Sequence, residues 1–255
     1  MGKLGLYVSE AARRPAAALG VGLVAFPLAK LLYLPNYILN FLTTLVHEIG
    51  HCLMAWAVGR PSVPAVSLAG GGVTVWGEQS VLLAALLWIA LGAAALRWKD
   101  RPAARWMLGA AFLLYPAAAF TRANVLLPAA GGVLLEIGGA AACFYVCCRP
   151  TPPRRPPERP LYALWGWWML LNRAGETVLM LRDRRFWEER AVLESGLAAG
   201  MTSDLEVLRA EMNVAPEAIL WSVLILSLVS PPAAVLAARG TRAGGSTSFE
   251  NGVES

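Results

Sequence analysis

The organisation of this chain is decided by residues 43–54, which read TTLVHEIGHCLM. His47, Glu48 and His51 form an H-E-x-x-H pattern, and residues i and i+4 of an α-helix lie on one face. Two imidazoles at that spacing can bind one Zn²⁺, while the Glu48 carboxylate can reach a water molecule beside the metal. Gly50 leaves space beside the metal. The pattern therefore predicts a zinc site in which Glu48 is the catalytic base.

The surroundings of the motif are apolar enough to cross a bilayer. The chain has two histidines in all, and both lie in this motif. Ionisable side chains at membrane depth are costly and are therefore candidates for function. This cost favours a metal site over a chance polar cluster on a helix.

Composition places the chain among polytopic membrane proteins. It is 57% hydrophobic and 15% charged, with a mean hydropathy of +0.53. The net charge of +5 comes from arginines in short loops between apolar runs, which is typical of topology signals and argues against a nucleic-acid partner. The four cysteines fall in or beside apolar segments, so we interpret them as buried hydrophobes.

The hydropathy pattern predicts an all-α fold with about six transmembrane helices, at roughly 16–34, 37–58, 80–96, 106–121, 126–148 and 216–238. Between the second and third, residues 62–79 are short and rich in glycine. They predict either a β-hairpin or a glycine-rich loop that re-enters the protein. A hairpin edge beside the motif helix could pair with an extended substrate.

Four regions follow from this pattern. Residues 1–148 form a membrane-embedded core, and residues 149–160 a proline- and arginine-rich linker that we expect to be non-helical. Residues 161–238 form a C-terminal region with amphipathic and transmembrane segments, and residues 239–255 a disordered tail.

A catalytic zinc site usually has three protein ligands, so one is needed besides the two histidines. We expect Glu136, which lies mid-span like the histidines among glycines that permit close helix packing. Its alternative role is a protonated carboxyl group hydrogen-bonded in the bundle. Asp204 is the second candidate ligand, because a re-entrant turn before the last span could bring it beneath the zinc. Its alternative role is a helix N-cap.

The motif in an early membrane helix, followed by the glycine-rich segment at residues 70–73, resembles the site-2 protease family of intramembrane zinc metalloproteases. The resemblance covers about the first 140 residues. It implies that His47 and His51 bind zinc and that Glu48 activates water. In that family the third ligand is an Asp in an Asp-Gly motif, whereas this chain has no Asp-Gly pair. The resemblance also implies that Asn124 helps to hold the oxyanion.

These features predict an intramembrane zinc metalloprotease that hydrolyses peptide bonds in or near transmembrane segments of membrane proteins. Its expected location is the bacterial inner (cell) membrane, as a multi-pass protein whose partners are the lipid bilayer and a membrane-protein or peptide substrate. The alternative is a non-peptidase membrane protein that uses the histidine pair as a structural metal site or as part of a transport-related scaffold. Glu48 discriminates between them, since a site that only holds metal needs no base.

Overall fold

The computed structural model describes residues 14–68, 71–98, 100–149, 158–183 and 204–243. Within these ranges the chain is mostly helical, as expected from its hydropathy. The described elements, in chain order, are α1 (Pro15–Leu31), α2 (Tyr33–Ala57), β1 (Ser62–Val66), β2 (Gly72–Trp76), α3 (Val81–Arg97), α4 (Pro102–Ala119), α5 (Ala123–Cys148), α6 (Glu158–Arg182), α7 (Asp204–Met212) and α8 (Pro216–Ala243).

Helix α2 carries the H-E-x-x-H motif in its second half. Leu32 separates it from α1 with an extended backbone, at φ −93° and ψ 122°. Pro35 lies in the first turn of α2, where the missing N–H has no intrahelical partner in any case. Gly59 follows the end of the helix at φ +80°, a conformation that glycine adopts without steric cost. The motif therefore lies on a continuous helix with a defined end.

Strands β1 and β2 form a two-stranded antiparallel ribbon, with Ser62 opposite Trp76 and Val66 opposite Gly72. The ribbon is bound to α2 at several points. The Ser62 hydroxyl donates to the carbonyl of Cys52 at 3.2 Å, and the Trp56 indole N–H donates to the carbonyl of Ser62 at 2.9 Å. These bonds hold the ribbon along the helix face that carries the motif.

The chain divides into two compact units. One comprises the described parts of residues 1–43, 136–182 and 220–255. In it, α1 packs against α6: Ala18, Cys147 and Ala163 form a buried cluster, and the Phe26 and Trp168 rings meet edge to face at 5.4 Å.

The other unit comprises the described parts of residues 44–135 and 183–219, and it contains the second half of α2, the ribbon and α7. Its helices α3 and α4 pack together through Ala84, Tyr115 and Ala119. The rings of Trp88 and Phe112 stack at 5.4 Å beside this cluster.

Three of the described helices are long and apolar enough to cross a membrane: Tyr33–Ala57, Ala123–Cys148 and Pro216–Arg239. The hydropathy pattern predicts about six. Helices α1 and α3 are also apolar, but each has 17 residues, short of the ~20 needed to span the hydrocarbon core. Length therefore separates the three candidate spans from these two helices.

Two predicted boundaries differ from the observed ones. Helix α6 begins at Glu158, so residues 158–160 form its first turn instead of ending a linker, and Pro160 is tolerated there. Helix α8 continues to Ala243 and includes the first residues of the predicted tail, because alanine and arginine favour helix and one glycine costs only ~1 kcal/mol. The remaining predicted linker and tail, residues 150–157 and 244–255, lie outside the described residues.

Candidate metal centre

The two histidines of α2 point the same ring atom at each other. Their Nε2 atoms are 2.9 Å apart, and the ring planes meet edge to face with centroids 4.5 Å apart. This is the arrangement that the i, i+4 spacing predicts. His51 is buried and His47 is half-buried.

Asp204, the first residue of α7, completes a group of three possible metal ligands. Its Oδ2 atom lies 3.4 Å from His47 Nε2 and 3.0 Å from His51 Nε2. In a tetrahedral zinc site with bonds of about 2.0–2.1 Å, two ligand atoms are ~3.3 Å apart. The triangle of donor atoms therefore has the size that one metal ion of this kind requires.

A hydrogen bond sets the orientation of the His51 ring. Its Nδ1 atom lies 2.7 Å from the carbonyl oxygen of Pro128, which can only accept a proton. Nδ1 is therefore the protonated nitrogen of the neutral ring, and Nε2 keeps its lone pair for the metal. Metal-binding histidines usually make such a second bond, which fixes both tautomer and ring direction.

Glycines on α5 give the two helices room to approach. A Cβ atom at Gly132 would lie 2.5 Å from both His47 Cε1 and His51 Nε2. The missing side chain of Gly132 therefore leaves space beside the Nε2 atoms of both imidazoles. A Cβ at Gly50 would collide with the backbone carbonyl of Gly131, so α2 and α5 are in backbone contact beside the motif.

Glu48 is buried next to the histidines and is held by β2. Its Oε2 atom accepts a hydrogen bond from the Thr74 hydroxyl at 2.7 Å. The same hydroxyl lies 3.0 Å from the Glu48 backbone carbonyl. A buried carboxylate without such partners would be costly. The arrangement supplies a base adjacent to a possible metal position.

Asp204 contributes negative charge to the site. Burial raises the pKa of this carboxyl group, but His47 and His51, when their rings are protonated, donate hydrogen bonds and bring positive charge that hold the pKa well below its usual range. Asp204 is therefore an anion near neutral pH. An anionic oxygen and two imidazole nitrogens form a donor set that suits zinc.

The expectation that Glu136 supplies the third ligand is not met. Its carboxylate instead receives two hydrogen bonds from Arg173, at 2.8 Å from Nε and 2.6 Å from Nη2. Arg173 also lies 3.3 Å from Glu176. The depth of Glu136 in its helix suggested a metal role, but an arginine on α6 neutralises its charge. Asp204, the second candidate, is the residue that the structure brings to the histidines.

Asn124 has a different environment from the one that the family resemblance implied. Its side-chain amide donates to Gln79 Oε1 at 2.9 Å and to the carbonyl of Ala119 at 3.3 Å, and its oxygen lies 3.4 Å from Arg60 Nη2. An amide NH₂ has two hydrogens, and both are used here. Asn124 therefore connects the start of α5 to the loop before α3 and to the end of α4, and its oxyanion role stays a prediction.

Sequence reasoning did not find three residues that shape the site: Thr74, Pro128 and Gly132. A faint signal existed for two of them. The Gly131-Gly132 pair within an apolar helix marks a close helix approach, and Thr74 is the polar residue between Val73 and Val75. For Pro128 no signal existed, because its contribution is a backbone carbonyl.

Comparison of the chain with protein-family models, with curated proteins and with solved structures gave no match.

Proposed function

We propose that this protein is an intramembrane zinc metalloprotease of the site-2 protease type. One observation carries the proposal: His47, His51 and Asp204 converge on a single metal-sized position, and the buried carboxylate of Glu48 lies next to it on a helix apolar enough to cross a membrane. A structural site would need the three ligands but would not need a base between them.

We propose zinc as the metal, because catalytic zinc sites use two histidines and one carboxylate. Two imidazoles and one carboxylate leave the fourth tetrahedral position open, which distinguishes catalytic zinc sites from closed structural ones. When bound, zinc would supply Lewis-acid activation of water and of the scissile carbonyl group. His47, His51 and Asp204 would hold it, with His51 oriented by the carbonyl of Pro128.

Glu48 performs the proton transfers in this mechanism. As general base it accepts the proton of the attacking water, and it then passes that proton to the nitrogen of the leaving amine. Its burial excludes competing solvent, and its hydrogen bond to Thr74 limits the directions in which the carboxylate can turn.

The ribbon beside α2 suggests how a substrate is presented. Among the described residues the sheet has two strands, so each strand keeps one unpaired edge. An extended peptide can add to such an edge through main-chain hydrogen bonds. We propose that the substrates are transmembrane or juxtamembrane segments made locally extended by their own helix breakers.

The proposed location is the bacterial inner (cell) membrane, with the chain crossing it several times. The three candidate spans support an integral membrane protein. The shorter apolar helices α1 and α3 would bring the number nearer to six where the bilayer thins or loop residues extend them.

The test of this function separates catalysis from metal binding. Purified protein loaded with Zn²⁺ is incubated with single-span reporter proteins whose spans contain glycine and proline, and cleavage is followed by mass spectrometry. We expect the wild type to cleave within or near the span. Glu48→Gln should bind about one zinc and not cleave, because the ligands remain while the base is lost. Cleavage by Glu48→Gln at the wild-type rate would exclude Glu48 as the base.

A non-peptidase metal-binding membrane protein is the second candidate. The buried ion pair of Glu136 with Arg173 favours it, because paired charges inside membrane bundles are frequent in ion and substrate pathways. Zinc binding by the wild type without cleavage of any reporter would favour this second function.

A further inference from the structure

The inner face of β2 is directed at Glu48. Side chains alternate between the two faces of a strand, so residues 72 and 74 share a face. Thr74 on this face is buried, whereas Val75 on the opposite face is 62% exposed. Gly72 and Thr74 both contact the Glu48 side chain. The ribbon is therefore part of the surroundings of the proposed base.

Thr74 restrains one of the two carboxylate oxygens. Its hydroxyl lies 2.7 Å from Glu48 Oε2, and both residues are almost completely buried. A hydrogen bond to a charged acceptor in a buried place is among the stronger ones in proteins. The β-branched side chain has few χ1 rotamers, which keeps the hydroxyl in place. The Oε2 atom of Glu48 is thus held by a hydrogen bond to β2.

Gly72 keeps the other oxygen accessible. A Cβ atom at residue 72 would lie 2.7 Å from Glu48 Oε1 and 2.6 Å from Glu48 Cγ. Any side chain at this position would therefore cover Oε1 or displace the carboxylate. The missing side chain at residue 72 and the hydroxyl at residue 74 act on different oxygens of the same group.

We propose that Thr74 is a positioning residue for catalysis, which holds Glu48 so that Oε1 is the oxygen that accepts the proton. This inference rests on the proposed function, since it assigns a role to a residue that acts through the base. Among the described residues, the hydroxyl of Thr74 has its hydrogen-bond acceptors on Glu48 and not on the candidate ligands His47, His51 and Asp204. Gly72 contributes to the same arrangement, because its missing side chain leaves Glu48 Oε1 uncovered.

The test uses acetohydroxamic acid as a probe, so that no substrate is needed. This small acid binds zinc as its anion, and its hydroxyl proton passes to a neighbouring base. Its affinity for the zinc-loaded protein therefore reports whether Glu48 is placed to take a proton beside the metal. Calorimetry gives the dissociation constant, and metal analysis gives the zinc content of each variant.

Four variants are compared with the wild type: Glu48→Gln, Thr74→Val, Thr74→Ser and Val75→Thr. Thr74→Val keeps the shape of the side chain and removes the donor, while Thr74→Ser keeps the donor. Val75→Thr changes the exposed face of the same strand and is the matched control. We expect about one zinc in all four, and affinity for the probe about tenfold weaker in Glu48→Gln and Thr74→Val. Thr74→Ser and Val75→Thr should bind the probe within about threefold of the wild type.

The outcomes separate this inference from the proposed function. Wild-type affinity in Thr74→Val, with weak binding in Glu48→Gln, overturns the role of Thr74 and leaves Glu48 as the base. Equal loss in Thr74→Val and Thr74→Ser also overturns it, because the hydroxyl would not be the cause. Loss of zinc from Thr74→Val would also overturn it, because Thr74 would then act on the metal centre and not on the position of Glu48. Wild-type affinity in Glu48→Gln would overturn the proposed base, and the positioning role with it.

Discussion

At the scale of single residues, the space for the imidazoles depends on one missing methyl group. Gly132→Ala would place a Cβ atom 2.5 Å from His47 Cε1 and from His51 Nε2, so the rings must move. We expect zinc binding to weaken about 10–100-fold, the range found when groups that orient metal ligands are changed. Equilibrium dialysis against Zn²⁺ measures this effect.

Gly138→Ala is the matched control on the same helix. A Cβ atom there meets nothing within 4 Å, and alanine favours helix over glycine by ~1 kcal/mol. Its zinc affinity should equal that of the wild type. Equal affinity in the Gly132 and Gly138 variants would contradict the close contact of α5 with the histidines.

The third ligand gives a second prediction at this scale. Asp204→Asn replaces an anionic oxygen by a neutral amide and should lose most of the bound zinc. Glu136→Gln should keep about one zinc per chain, because Glu136 is bound by Arg173. Both variants are compared as equal amounts of folded protein by metal analysis. Full zinc content in Asp204→Asn would remove Asp204 from the site.

The sequence allowed only the local part of the site to be predicted. His47, Glu48 and His51 lie within five residues on one helix, so helical periodicity alone predicts their shared position. Asp204 joins them through tertiary packing, for which a single sequence has no signal, and a helix N-cap explained it equally well. The prediction that Glu136 is the third ligand was wrong because hydropathy indicates how deep a charged residue lies in its helix. It does not indicate which residue pairs with that charge, here Arg173.

At the scale of elements, the ion pair of Glu136 with Arg173 joins α5 to α6. Arg173→Met would remove the arginine that binds the buried Glu136 carboxylate, and breaking such a buried ion pair costs ~3–5 kcal/mol in the free energy of unfolding. The double variant Glu136→Met/Arg173→Met should recover most of that loss, since two apolar side chains can replace a buried pair. Thermal unfolding in detergent measures each step.

Glu176→Gln is the control for the pair. Glu176 also contacts Arg173, but its side chain is 35% exposed, and exposed ion pairs contribute at most ~1 kcal/mol. A double variant as unstable as Arg173→Met alone would show that the loss comes from packing and not from the unpaired charge.

The ends of the helices could not be predicted from the apolar pattern. Apolar runs predict where helices lie, because burial or a bilayer requires them to be apolar. They do not set the ends: α6 begins within the proline-rich segment because its first turn accepts Pro160. Helix α8 similarly extends to Ala243, where composition suggested a tail.

At the scale of the whole molecule, the three apolar helices predict how the protein fractionates. Each is long enough to cross the hydrocarbon core, and removing such helices from lipid into water is very unfavourable. The protein should therefore stay in the membrane pellet after carbonate extraction and after washing with high salt. A peripheral membrane protein is the control, and the same washes should release it into the soluble fraction. Recovery of this protein in the soluble fraction would contradict a membrane location.

The three candidate metal ligands lie far apart along the chain, and metal binding would therefore affect stability. A zinc ion held by His47, His51 and Asp204 would cross-link the chain between residues 51 and 204 and close a long loop in the unfolded state. Closing such a loop lowers the entropy of the unfolded chain, as a disulfide bond does. Unlike a disulfide, this cross-link is opened by a chelator and is insensitive to a thiol reductant. The metal would thus be a reversible cross-link, and the stability that it adds would rise with the concentration of free metal.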